Sequence, residues 1–205
     1  MSNENILQMK RVVKQFPGVL ALDHADLEVR KGEVLAVIGE NGAGKSTMMK
    51  IISGAYRLDE GEVILDGELI PVMSTPRERL DSGISIIYQE LTYLNEMTIA
   101  ENLFMGRTPV KGFFRKVDYQ KMRQVADELL CTFNLEYDPD TLVKDLTVAE
   151  KQMIEILRAV SRDVKVLIMD EPTSSLNEVE TEQLFEFIRE LRTKGVSILY
   201  ISHKL

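Results

Sequence analysis

The sequence predicts an α/β fold: a mainly parallel core sheet, an antiparallel β part and an inserted helical subdomain. Three features carry that prediction. The first is residues 34–54, VLAVIGENGAGKSTMMKIISG, where a short apolar run gives way to a glycine-rich loop and then to apolar positions at helical spacing. The second is a later pair of apolar runs, 164–169 and 196–202, separated by a helical pattern over 178–193, the alternation of a parallel sheet. The third is Asp66-Gly67 between Val63-Ile64-Leu65 and Glu68-Leu69-Ile70, a hairpin signal for a type I′ turn.

With 205 residues the chain reads as one large domain, or one domain with a subdomain. Lys and Arg number 25 against 33 Asp and Glu, a net charge of −8, and no basic tract is present. The electrostatic footprint of a nucleic-acid binder is therefore missing. Cys131 is the single cysteine, which excludes an intrachain disulfide and fits a reducing compartment. MSNENILQMK has no signal-peptide core, and no apolar run approaches the ~20 residues of a membrane span. The expectation is a soluble, cytoplasmic protein.

In chain order, 6–14 alternates loosely and closes on Phe16-Pro17-Gly18, a turn signal. Residues 25–29 read as a second strand, with Lys31-Gly32 turning into the strand at 34–38. Gly54 is placed as the residue just past a helix C-terminus. Residues 75–81 form a short helix around Pro76, and 84–88 a buried strand ending at Gln89. From 90 to 145 helical periodicity dominates; Met122, Val125, Leu129 and Leu130 share one face. Core elements then resume: helix 147–161, strand 164–169, helix 178–193, a stop at Gly195 and strand 196–202. The division is 1–89 (core with the antiparallel part), 90–145 (helical subdomain) and 146–205 (the remaining core).

The chemistry concentrates at strand ends. Gly39-Glu40-Asn41-Gly42-Ala43-Gly44-Lys45-Ser46-Thr47 fits the phosphate-loop pattern G-x-x-x-x-G-K-[ST]. Its glycines permit turns in which consecutive N–H groups aim at phosphate oxygens, and the following helix N-terminus favours anions. Lys45 is placed for the β- and γ-phosphates and the Ser46 hydroxyl for Mg²⁺. The run Val166-Leu167-Ile168-Met169 delivers Asp170 and Glu171. Asp170 would hold the metal directly or through water, and Glu171 would act as general base toward an attacking water. His203 follows the last strand, at the edge where α/β folds bind ligands, which favours a γ-phosphate contact over a capping role. Gln89 also ends a core strand; there a glutamine either ligates Mg²⁺, positions water or is an ordinary loop residue. Thr147 and Glu150 form a capping-box signature, and Asn177 with Glu180 a similar one; on their residues alone these are helix starts.

Taken together and in order, these residues resemble the ATP-binding cassettes of ABC transporters: Phe16, Walker A (39–47), Q-loop (Gln89), signature (146–152), Walker B (166–171), D-loop (Ser175-Leu176-Asn177) and H-loop (His203). The resemblance implies a P-loop ATPase fold using ATP and Mg²⁺, with Phe16 stacked on adenine. It further implies a helical insert that contacts transmembrane permease subunits at the cytoplasmic face of the membrane. Two cassettes would dimerise head to tail, each signature facing the other's Walker A. FPGVLALD, YQELTYLNEMTIAENLFMGR and MIEI are similar to the monosaccharide importers of the ribose, galactose and xylose type, in which two cassettes are fused and an extracytoplasmic sugar-binding protein delivers the solute. This chain resembles the first cassette, and the pattern implies that it stops short of a full one. Two motifs depart from the pattern. In the signature, Leu146-Thr147-Val148-Ala149-Glu150 replaces L-S-G-G-Q, adding Cβ atoms where backbone approaches phosphate; in the D-loop, Asn177 stands where Asp is usual. A non-transport ABC ATPase would call for basic patches or inserted arms, and a P-loop kinase for an acceptor site and lid arginines; neither set is visible.

Overall fold

The computed structural model describes residues 4–89, 92–112 and 114–203. They divide into two compact units. One holds residues 1–89, 163–172 and 191–205; the other holds 90–162 and 173–190.

The first unit contains two sheets. In the antiparallel sheet, β1 (Asn5–Phe16) pairs with β2 (Val19–Arg30) and with β4 (Glu60–Leu65), which pairs with β5 (Glu68–Leu69). The expected Asp66-Gly67 turn joins β4 to β5, with both residues at positive φ, 53° and 81°, as type I′ requires. Arg11 takes φ 48° and the register shifts between Met9 and Val12, a bulge that increases local twist.

The second sheet is parallel: β3 (Val34–Ile38), β10 (Ser197–Ser202), β9 (Val166–Asp170) and β6 (Ile84–Ile87), in that spatial order. An apolar cluster joins both sheets to α1 (Lys45–Ile52): Leu7, Met9 and Val29 meet Met49, Ile52, Ile168 and Leu199. Helix α1 ends as expected, with Gly54 at φ 78° and its N–H donating to the Ile51 carbonyl. Helix α2 (Pro76–Asp81) starts at a capping box between Thr75 and Glu78.

Among the described residues, β3 is covered on one face only. Leu35 and Val37 pack against the core, whereas Val34 and Ile38 on the opposite face are exposed. It is the edge strand, and within the described residues of its unit only one face is covered.

The second unit is mainly helical: α3 (Ile99–Leu103), α4 (Tyr119–Thr132), α5 (Val148–Val160) and α6 (Glu178–Thr193), the last belonging to it through residue 190. Residues 146–162 and 173–190, grouped with the core by sequence pattern, fall in this unit: α5 packs on α3, and on α6 Phe187 meets Phe133 and Glu190 accepts from Asn134. On α4 the buried residues are Met122, Ala126 and Leu130, with Val125 and Leu129 half-buried beside them. Lys111-Gly112 lies at the turn of a small hairpin, β7 (Val110–Lys111) with β8 (Lys116–Val117). Asn102 is buried, and its side chain accepts from the Leu94 N–H and donates to the Leu94 and Thr98 carbonyls, the satisfaction a buried amide needs.

Candidate nucleotide site

Because all four strands of the second sheet run parallel, their C-terminal ends share one edge. The residues that follow them are the predicted site: 39–47 after β3, His203 after β10, Asp170 and Glu171 at the end of β9, and Gln89 after β6. The register is tight, since Ile201 pairs with Val37 on one side and Asp170 on the other. Such an edge is where open α/β sheets bind ligands.

The loop wraps around Lys45. Its ammonium donates to the carbonyls of Gly39 at 2.5 Å and Glu40 at 2.8 Å, and the residue is only 9 % exposed. The Ala43 N–H donates back to the Glu40 carbonyl. Gly42 and Gly44 both take left-handed φ, 88° and 85°. A Cβ on Gly44 would lie 2.7 Å from the Ala21 carbonyl oxygen and 2.8 Å from Leu22 Cδ2, so β2 packs directly on the loop. Gly44 caps α1 without a side chain, and no acid occupies the first turn. The first helical N–H groups therefore have no intrahelical acceptor, and the macrodipole adds positive potential. A buried cation bonded to carbonyls, beside an uncapped helix start, is a receptor suited to phosphate. Ser46 is exposed and Thr47 half-buried at this start; Glu40, Asn41 and Ala43 are exposed along the loop.

Asp170 is half-buried. Burial, and next the neighbouring Glu171 charge, push its pKa up; Lys50 and Lys45 pull the other way. Glu171 adopts φ 49°, a conformation costing a non-glycine residue about 1–2 kcal/mol. Its N–H donates to the Ile201 carbonyl, and its Oε1 lies 2.7 Å from His203 Nδ1. An ionised carboxylate only accepts, so Nδ1 carries the proton and Nε2 is the remaining ring nitrogen. Gln89 is exposed beyond the end of β6.

Phe16 ends β1 and pairs with Val19 across the hairpin. Leu22, which touches the loop at Gly44, is three residues along β2; at ~3.3 Å per residue the two points are about 10 Å apart. The half-buried Phe16 ring meets Tyr56 edge to face at 5.4 Å. Tyr56 and Lys50 escaped the sequence reading: neither belongs to a motif, and nothing local links Tyr56 to Phe16.

The signature residues lie in the helical unit. Thr147 caps α5: Glu150 N–H donates to Thr147 Oγ1 at 3.3 Å, and Thr147 N–H to Glu150 Oε2 at 2.7 Å. Glu150 also accepts from the Tyr137 hydroxyl, whose pKa is raised, first by burial and then by this carboxylate. Leu146 is buried. Val148 is 42 % exposed and Ala149 only 2 %, so of the two departures from glycine only Val148 presents its side chain to solvent. Asn177 and Glu180 form the expected reciprocal cap of α6, each backbone N–H donating to the other's side chain at 3.0 Å.

No described helix is long and apolar enough to cross a membrane. Compared with known proteins, residues 22–174 match the ABC transporter family. The chain is 49 % identical over 210 residues to the ribose import ATP-binding protein RbsA of Clostridium tetani, covering 100 % of this chain and 41 % of that protein. It is 52 % identical over 200 residues to a putative ribose/galactose/methyl galactoside import ATP-binding protein of Burkholderia ambifaria, covering 98 % of this chain and 38 % of that one. The chain thus spans about two fifths of the length of these relatives. Among solved structures, a nucleotide-free ATP-binding cassette from an ABC transporter superposes with a TM-score of 0.85 at 31 % identity, covering 98 % of this chain and 83 % of that one. With a phosphate loop, a Walker B strand and a following histidine on one parallel-sheet edge, this chain belongs to the ATP-binding cassettes of the ABC transporter family.

Proposed function

We propose that this chain is the ATP-binding and ATP-hydrolysing cassette that energises import of a monosaccharide. The observation that carries the reading is the shared edge: buried Lys45 and the uncapped α1 start stand on the same strand ends as Asp170, Glu171 and His203. The similarity to sugar-import proteins supports the solute class.

Residues 39–47 would hold the triphosphate, with backbone N–H groups and Lys45 on its oxygens. Phe16 would stack on adenine. Mg²⁺, when bound, neutralises charge on the phosphate oxygens; Ser46, Asp170 and Gln89 would hold it. One carboxylate plus hydroxyl and amide oxygens suits Mg²⁺, which keeps waters and shares ligands with phosphate. Glu171 would take the proton from the attacking water, and His203, hydrogen-bonded through Nδ1 to that carboxylate, would orient it and, as the doubly protonated ring, would donate Nε2–H to the γ-phosphate.

The partners in this reading are transmembrane permease subunits at the cytoplasmic face, a second cassette fused in the longer protein and, indirectly, an extracytoplasmic sugar-binding protein. Walker A here would pair with the other cassette's signature, and Leu146 to Glu150 with the other cassette's Walker A. Because Val148 and Ala149 replace glycine, the competent hydrolytic site is the one built on Lys45. The test uses the full-length protein with its membrane partners. Lys45→Ala should abolish sugar-coupled hydrolysis, since a charge-assisted phosphate contact is worth roughly 1.5–3 kcal/mol. Val148→Gly with Ala149→Gly should change it little. Retention of about half the activity in Lys45→Ala would refute the single-site reading.

A further inference from the structure

The end of β1 carries a second, unassigned arrangement. Asp59 accepts from the Lys14 ammonium at 2.9 Å and from the Gln15 N–H at 2.7 Å, clamping the two residues before Phe16. Held this way, Lys14 Nζ stands over the Phe16 ring, 5.3 Å from its centroid, within cation–π range. Tyr56 meets the same ring at 5.4 Å with the planes at 69°. Lys50 Nζ in turn stands 5.1 Å over Tyr56, and the Tyr56 N–H donates to the Lys50 carbonyl, which ties Tyr56 to α1, the helix that starts at the phosphate loop. The Phe16 ring is thus braced by Tyr56 and covered on one face by Lys14, so the opposite face is the one a flat ligand would take.

We propose that Tyr56 is a positioning residue for the nucleotide base: it locks the Phe16 ring so that a single face is presented for stacking, at a fixed offset from the phosphate loop. The proposal rests on the reading of Phe16 as the stacking residue. The physical reason is preorganisation. A ring already held in its binding orientation loses less rotational freedom when the base arrives.

The experiment measures binding of Mg-ATP and of Mg-tripolyphosphate, which lacks the base, to the chain and to Phe16→Ala, Tyr56→Ala, Tyr56→Phe and the double variant Phe16→Ala with Tyr56→Ala. Tyr56→Ala should weaken Mg-ATP by about two- to tenfold, the range an edge-to-face aromatic pair supports, and leave tripolyphosphate unchanged. Tyr56→Phe should restore Mg-ATP binding, because the aromatic ring and not the hydroxyl makes the contact. The double variant should bind Mg-ATP no more weakly than Phe16→Ala alone. Tyr56 is 37 % exposed, and unchanged tripolyphosphate binding doubles as the check that each variant is folded. Equal loss of both ligands in Tyr56→Ala, strictly additive effects of the two substitutions, or no loss of Mg-ATP while Phe16→Ala does lose it would each overturn the role of Tyr56. Unchanged Mg-ATP binding in Phe16→Ala would instead remove Phe16 as the stacking residue, and the proposal with it.

Discussion

Gly44→Ala, compared with Gly42→Ala, measures how far the phosphate loop depends on close contact with β2. Both glycines are left-handed, at φ 85° and 88°, and an L-residue in that region costs about 1–2 kcal/mol. Their surroundings differ. A Cβ at position 42 meets nothing within 4 Å, whereas one at 44 would press on the Ala21 carbonyl oxygen at 2.7 Å and Leu22 Cδ2 at 2.8 Å. The leucine methyl can rotate away, but the Ala21 carbonyl oxygen moves only with the backbone of β2, so loop or strand must shift. Overpacking of this kind typically costs about 1–3 kcal/mol. Gly42→Ala should therefore destabilise by about 1–2 kcal/mol, and Gly44→Ala by about 2–5 kcal/mol. Urea unfolding followed by circular dichroism reads the difference directly, provided the slope is the same in both variants. Mg-ATP affinity should fall further in Gly44→Ala, since the displaced segment carries the N–H groups at the start of α1. Equal destabilisation by the two substitutions would refute the close-approach argument.

Two more outcomes follow from the same edge of the sheet. Glu171→Gln should bind Mg-ATP yet lose about 10²–10⁴-fold in turnover, because the amide keeps the shape and removes the base; near-normal hydrolysis in the complete transporter would remove Glu171 from that role. Asp170 has a raised pKa, chiefly from burial, so its contribution to stability is fully present below the ordinary carboxylate range and is lost as pH rises through the raised value. Asp170→Asn should therefore be more stable than the parent near neutral pH, with the gap closing as pH falls into that range; melting curves separated by a constant amount at every pH would count against the burial argument.

What the sequence determined by itself is everything set within a few residues. The order strand, glycine loop, helix over 34–54 was legible because each element has its own period and its own punctuation. The turn at Asp66-Gly67 followed from the need for two positive φ values, and both occur. The capping boxes followed from the reach of a Thr or Asn side chain to a backbone N–H three residues on, and those at Thr147 and Asn177 form. Relations across the sheet were decided only by tertiary structure. The bond between His203 and Glu171 depends on the register of β10 against β9, which no local pattern encodes. The bracing of Phe16 by Tyr56 depends on where the chain leaving α1 meets the end of β1. The packing of α5 on α3 and the exposed face of β3 belong to the same class. Periodicity tells which side of an element is apolar; which neighbour covers that side, or whether any does, is settled only when distant segments pack.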